Sequence, residues 1–205
     1  MHEAVDVDIL GADALSQHRE ELLSVYRDAY SDKIGSPFFS EARHWERLKA
    51  YAEREGFGLV EARHDGELIG YALGYRLPTG SGWWRGLREE VDPDLIAEDG
   101  TRTFALTYMM VRQQYRRRGH ARAMHDALLG NRPEARATLL VLPDNQAAQA
   151  AYRSWGWHKV GTIRPYMDAP VYDAMLLDSL AHHLGRAPGR PAATSCRRSQ
   201  HTRFC

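Results

Sequence analysis

The chain predicts an α/β fold, and three observations carry that prediction. Segments with strand-like and helix-like apolar spacing alternate along most of its length. Two strand segments are joined by His64, Asp65, Gly66 and Glu67, an Asp-Gly turn tight enough to close a hairpin. The strongest strand, Thr103 to Arg112, leads through a basic turn into a helix that starts at His120.

Bulk properties narrow the class. A chain of 205 residues suits one domain with a real core, and 43% hydrophobic against 26% charged residues is a globular balance. No apolar run approaches the roughly 18 residues of a membrane span, so no membrane partner is expected. The first 14 residues hold a histidine, a glutamate and three aspartates, which is not a signal peptide; a cytoplasmic location is expected. Both cysteines, Cys196 and Cys205, lie in the last ten residues, so disulfides cannot hold the body together. The net charge of zero hides an asymmetry. Residues 185–205 carry five arginines and no acid, leaving the rest of the chain near −5. An acidic body argues against nucleic acid as a partner and for a cationic substrate.

The elements follow in order. Ala4 to Leu10 alternates like a strand. Leu15 to Ala29 spaces Leu22, Leu23, Tyr26 and Ala29 as a helix. Ser40 is an N-cap for a second helix reaching Glu55. Gly58 to Arg63 and Leu68 to Tyr75 are the hairpin strands. A polar insertion, Arg76 to Arg102, holds Trp83, Trp84 and six acids between Glu89 and Asp99; so long a connection is usually functional or mobile. After the strand from Thr103 comes a helix to Leu129, a short buried strand from Thr138 to Leu142, and a helix from Asn145 to Trp155. Trp157 to Ile163 and Val171 to Leu177 supply the last strands. Residues 1–180 thus form one domain, and 185–205 read as a basic, disordered tail.

The chemistry concentrates between strand and helix. Arg116, Arg117, Arg118, Gly119, His120 and Ala121 precede a helix N-terminus, where unpaired N–H groups and the helix dipole attract phosphate. Gly119 and Ala121 let a pyrophosphate approach the backbone, and Arg122 adds charge. The same residues would equally suit a solvated basic turn or a nucleic-acid patch.

Motifs decide between these. Arg116, Gly119 and Ala121 fit the pattern Arg/Gln-x-x-Gly-x-Gly/Ala, and Val111 and Tyr115 fit its prefix Val-x-Pro-x-Tyr, with Gln113 in place of the proline. Asn145, Ala148, Tyr152, Gly156 and Trp157 keep every spacing of a second signature, Asn-x-x-Ala-x-x-x-Tyr-x-x-x-Gly-aromatic. In these motifs, and in the hairpin around Gly70, residues 4 to 178 resemble the GNAT superfamily of acetyl-CoA-dependent N-acetyltransferases.

The resemblance implies a mixed, splayed sheet of about seven strands with about four helices. It implies that the backbone of Met109, Met110 and Val111 binds the pantetheine arm of acetyl-CoA. Arg116 to Arg122 would line the pyrophosphate, and Asn145 would reach the pantetheine, unless it serves only as an N-cap. Tyr152 would be the catalytic acid that protonates the departing thiolate; otherwise it is a packed aromatic on its helix. Acetyl passes directly to a primary amine, because no cysteine precedes residue 196 to form an acyl-enzyme.

One family feature is missing. The places where many members put a basic glutamate hold Ala105 and Leu140, and Glu61, Tyr108 and Asp173 are the substitutes to test. Trp83 and Trp84, with Phe38, Phe39 and Tyr166, would either stack on the acceptor or plug the fold. The ten histidines show no metal spacing, so no metal is expected. The acids from Glu89 to Asp99 point to a small cationic acceptor. A protein N-terminus or aminoacyl-tRNA as acceptor, a CoA-sensing module without turnover, and an RNA-binding role for the arginines are the rivals. A homodimer is left open.

Overall fold

Seven strands build one sheet: β1 (Asp6–Leu10), β2 (Gly58–His64), β3 (Glu67–Arg76), β4 (Thr103–Val111), β5 (Arg136–Val141), β6 (His158–Ile163) and β7 (Tyr172–Leu177), in the spatial order β1-β2-β3-β4-β5-β7-β6. The computed structural model describes residues 5–180; the start of the predicted first strand and the tail 185–205 lie outside them. Every neighbouring pair is antiparallel except β4 and β5, so the sheet is mixed. The hairpin turn works as its residues require. Asp65 and Gly66 take φ of 50° and 81°, the left-handed pair that a two-residue turn between twisted strands needs.

Six helices accompany the sheet: α1 (Ala12–Gln17), α2 (Arg19–Ala29), α3 (Glu41–Ala52), the short α4 (Pro93–Ile96), α5 (His120–Leu129) and α6 (Gln146–Ser154). The single helix expected over Leu15 to Ala29 breaks at His18, whose φ of −101° and ψ of 20° leave the helical range. Its Nδ1 lies 2.8 Å from the carboxylate of buried Glu61 on β2, a contact invisible to local periodicity. Ser40 caps α3 as expected, its hydroxyl accepting from the Arg43 N–H. Helices α1 to α3 bury Leu15, Leu22, Val25 and Leu48 on one face of the sheet, against Leu59, Tyr71 and Leu73. Each such leucine contributes about 1.5–3 kcal/mol through burial. Helix α5 buries Met124 and Leu128 on the opposite face, in one core with Ile69, Phe104, Tyr152 and Trp157.

The sheet opens in the middle. β4 and β5 pair only between Thr103–Leu106 and Arg136–Leu139, although β4 continues to Val111. A β-bulge sits at the divergence: Leu106 faces Gly74 and Tyr108 faces Leu73, leaving Thr107 as the extra residue. The bulge presses so closely on β3 that a side chain cannot stand opposite. A Cβ on Gly74 would lie 2.1 Å from the Ala105 carbonyl oxygen. Beyond Thr107, β4 keeps its pairing with β3 but presents its other edge to a gap.

The insertion after β3 is ordered by burial. Trp84 is 5% exposed and donates its indole N–H to Glu98 at 2.8 Å, and Glu98 also accepts from Arg136 on β5. Trp83, its neighbour on a single 3-10 turn capped by Ser81, bonds Thr138 on β5. Glu89 accepts both the N–H and the hydroxyl of Thr162 on β6. The insertion is therefore clamped across the second half of the sheet. Among the described residues no helix is long and apolar enough to cross a membrane.

Candidate functional site

The turn after β4 is bent by two left-handed residues and runs into a helix start. Arg117 and Gly119 have φ of 61° and 89°, and Gly119 is the N-cap of α5. The first intrahelical bond runs from Ala123 N to Gly119 O, so the backbone N–H groups of Ala121 and Arg122 at this helix end have no intrahelical acceptor. A Cβ at Gly119 would meet nothing within 4 Å, so the space before these groups is open. Arg117 and Arg118 are exposed beside it. Arg122 is half engaged: its Nε bonds Asp126 at 2.6 Å and its guanidinium lies over the Trp155 ring. Arg116 has a different position from its neighbours. Its Nε donates to the Val111 carbonyl at 3.1 Å, and Nη2 to the Ala29 carbonyl at 3.2 Å.

Gln113, where the resemblance expects proline, explains how this loop is held. Its N–H donates to the Asp28 carboxylate at 2.6 Å, and its side-chain amide to the Asp28 carbonyl and the Ser31 hydroxyl. Proline has no N–H to give. The glutamine therefore ties the turn to the C-terminal end of α2.

Met109, Met110 and Val111 pair with β3 but have no strand partner toward β5, where the Val111 carbonyl is taken by Arg116. Met109 and Val111 pack into the α5 core, in one cluster with Ala121 and Tyr152, whereas Met110 faces the α2 side. Asn145 is the N-cap of α6, its Oδ1 accepting from Ala148 N at 3.2 Å, so the capping role weighed for it is real. Its remaining amide N–H groups stay exposed. Tyr152 is 8% exposed, with its ring edge-on to Trp155 and Trp157. Its phenol oxygen bonds no described residue and is not among the sealed polar atoms. Burial raises its pKa well above that of a free phenol, and Tyr30 adds to the rise.

A cavity of about 510 Å³ lies on the α2 and α3 side of the gap. Sequence patterning could not assemble it, because its walls come from α3, the residues after α2, the bulge, the insertion and the loop after β6. Nine aromatic side chains line it, among them Tyr30, Phe39, Trp83 and Tyr108, and Thr107 and Leu140 form its floor at the gap. Phe38 and Tyr166 belong to the same wall, so Trp83, Phe38, Phe39 and Tyr166 face the cavity while Trp84 plugs the fold.

Of the three substitute bases, only Tyr108 lines the cavity. Glu61 is held by His18 and Arg63, and Asp173 by Lys159 at 2.7 Å. Burial raises the Tyr108 phenol, partly offset by the Arg47 cation, which makes it a poor base at neutral pH. The acids that suggested a cationic acceptor are elsewhere: no carboxylate lines the cavity. Glu89 and Glu98 are spent on the clamps described above, Asp92 caps α4, and Asp99 caps the turn at Thr101 and Arg102. The charged side chains in the wall are Arg47, Arg54 and Arg85. No group of three or more His, Cys, Asp or Glu among the described residues is arranged to hold a metal ion.

Solved structures of acetyltransferases share this architecture. The ribosomal-protein-S18-alanine N-acetyltransferase of Escherichia coli aligns with a TM-score of 0.55 at 19% identity, over 85% of this chain and 93% of its own. Ard1 of Thermoplasma volcanium gives 0.55 at 17%, over 84% and 96%. The PaiA N-acetyltransferase of Thermoplasma acidophilum, solved in complex with coenzyme A, gives 0.53 at 11%, over 85% and 99%. No curated protein sequence matches the chain. Residues 19–157 match the Acetyltransferase (GNAT) family, and the chain belongs to it. It is an acyl-CoA-dependent N-acetyltransferase.

Proposed function

We propose that the protein transfers acetyl from acetyl-CoA directly to the primary amine of a small molecule held in the aromatic cavity. The observation that carries this is the two-sided arrangement about the gap. The α5 turn and Tyr152 belong to one face, and the cavity opens on the other. The pantetheine arm would complete the sheet along Met109, Met110 and Val111, the pyrophosphate would sit on the N–H groups at Gly119 to Arg122, and Asn145 would offer its free amide.

The amine nitrogen then attacks the thioester carbonyl; a C–N bond forms and the C–S bond breaks. Tyr152, kept protonated by burial, gives its proton to the leaving sulfur, and the proton shed by nitrogen restores the phenol. No carboxylate is at hand to take the first proton. For a lysine-like amine, deprotonation at pH 7 costs about 4–5 kcal/mol, but for an amine of pKa near 8 only about 1 kcal/mol. The arginines in the wall favour a neutral amine, since a positive field disfavours an ammonium. An acceptor of low basicity follows.

The test is Tyr152→Phe, with turnover followed by release of the CoA thiol. The ring contacts remain and no hydrogen bond is lost, so melting temperature and acetyl-CoA affinity should hold. Turnover should fall by about 10²–10⁴. A variant with wild-type turnover removes Tyr152 from the chemistry.

A further inference from the structure

We infer that the acceptor carries an anionic group, a carboxylate or a phosphate, beside its amine and a flat apolar body, and that Arg47, Arg54 and Arg85 recognise it. The inference deepens the acetyltransferase proposal and rests on it for the identity of the cavity.

Three observations combine. First, the charge of the wall is of one sign: three guanidiniums, no carboxylate. Second, none of the three has an ion pair among the described residues, whereas Arg27, Arg43, Arg63, Arg76, Arg132 and Arg136 each have one. Arg43, one turn before Arg47 on α3, is neutralised by Asp168, and Arg27 by Glu20 and Glu41. Third, one nitrogen of the half-buried Arg47 is sealed from water without a partner. Nη1 donates to the neutral Phe38 carbonyl at 3.1 Å, the guanidinium lies 4.1 Å over the Phe38 ring, and Nη2 is buried with no partner.

A guanidinium stripped of water on one nitrogen, and otherwise offered only a neutral carbonyl, has an unmet electrostatic demand that an anion beside it satisfies. Arg47 also lies close enough to Tyr108, next to the Thr107 bulge, to influence its phenol. The charge is therefore near the gap where the amine must react. Arg54 and Arg85 are exposed and extend the positive field outward. The aromatic wall supplies flat apolar contact for the body of the molecule. A cavity of about 510 Å³ admits a drug-sized molecule.

Phenylacetate, phenyl phosphate and phenethylamine, titrated into the full chain with quenching of tryptophan fluorescence, test the wall without turnover. Both anions should bind, phenethylamine at least tenfold more weakly, and Arg47→Gln should weaken the anions by about tenfold or more. The exposed pair Arg54→Gln and Arg85→Gln, which cannot unfold the chain through lost packing, should weaken them as well and flatten the salt dependence. The preferred anion assigns carboxylate or phosphate. Tighter binding of phenethylamine, or anion affinity unchanged in both variants, overturns the inference. Thiol release from acetyl-CoA with phenylalanine, O-phosphotyrosine, phenethylamine, spermidine and an alanine-led peptide separates the two proposals. If phenethylamine or spermidine reacts best, acetyl transfer stands and the anion site falls. If anions bind as expected but no amine releases thiol, the anion site stands and the transfer proposal falls.

Discussion

Replacing His44 with glutamine tests how dry the interior beneath α3 is. His44 is fully buried, stacks flat on Tyr26 with ring centroids 3.7 Å apart, and shares a hydrogen bond of 2.8 Å between Nε2 and the Tyr71 hydroxyl. Nδ1 is buried with no partner, so a proton there would find no acceptor. Burial, reinforced by the Arg47 cation, drives its pKa down to about 3. In the unfolded chain the same ring titrates near 6.5. Below that value the unfolded state binds a proton that the folded state refuses, so stability falls as pH falls, from about 6.5 down to the folded pKa. Between pH 7 and pH 5 the loss amounts to about 2 kcal/mol. Urea unfolding at pH 7, 6 and 5 measures it. Glutamine carries no charge in this range, so His44→Gln should remove that part of the pH slope, whatever it does to stability at pH 7. The structural carboxylates with lowered pKa, Glu21 and Glu134 among them, titrate below this window. Equal slopes for the two proteins would mean that His44 charges freely in the folded state, and the packing described for α3 would be wrong.

Two further outcomes follow from the loop. Gly119→Glu should abolish the rise in melting temperature that acetyl-CoA gives, by setting a strained residue and a negative charge before the α5 N–H groups; an undiminished shift would detach the loop from the pyrophosphate. Gln113→Pro restores the residue of the family pattern but loses the 2.6 Å bond to Asp28, so it should lower stability by about 1–3 kcal/mol in chemical denaturation, and a neutral result would show that the tie to α2 carries no energy.

Local signals made much of this legible in advance. The Asp-Gly turn, the Ser40 cap, the basic turn at Gly119 and the Asn145 cap all depend on neighbours within four residues, and all lie where the sequence suggested. The acceptor side was not legible, because its content is set at long range. Glu98 looked like part of an acidic patch until it met Trp84 and Arg136, the latter 38 residues away, and Glu89 until it met Thr162. Arg47 carries no local signal at all; its guanidinium is set over the Phe38 ring and beside Tyr108 only by the tertiary fold. The break at His18 has the same origin, a carboxylate 43 residues further on. The Thr107 bulge did leave a trace, Gly74 in the middle of an otherwise well-filled strand, and an interior glycine of that kind signals close backbone approach.

The open edge of β4 has a cost for handling and storage of the protein. An ordinary sheet has two borders, and natural proteins guard them with charge or proline against pairing with other chains. Here a third border runs through the interior, from Tyr108 through Met109 and Met110 to Val111, with no charge until Arg112. That segment is a short apolar strand without a β5 partner, the kind of template on which neighbouring molecules associate. If acetyl-CoA lies along this edge as proposed, colloidal stability is coupled to its occupancy, and the thioester also serves as the plug that keeps the sheet from seeking another partner.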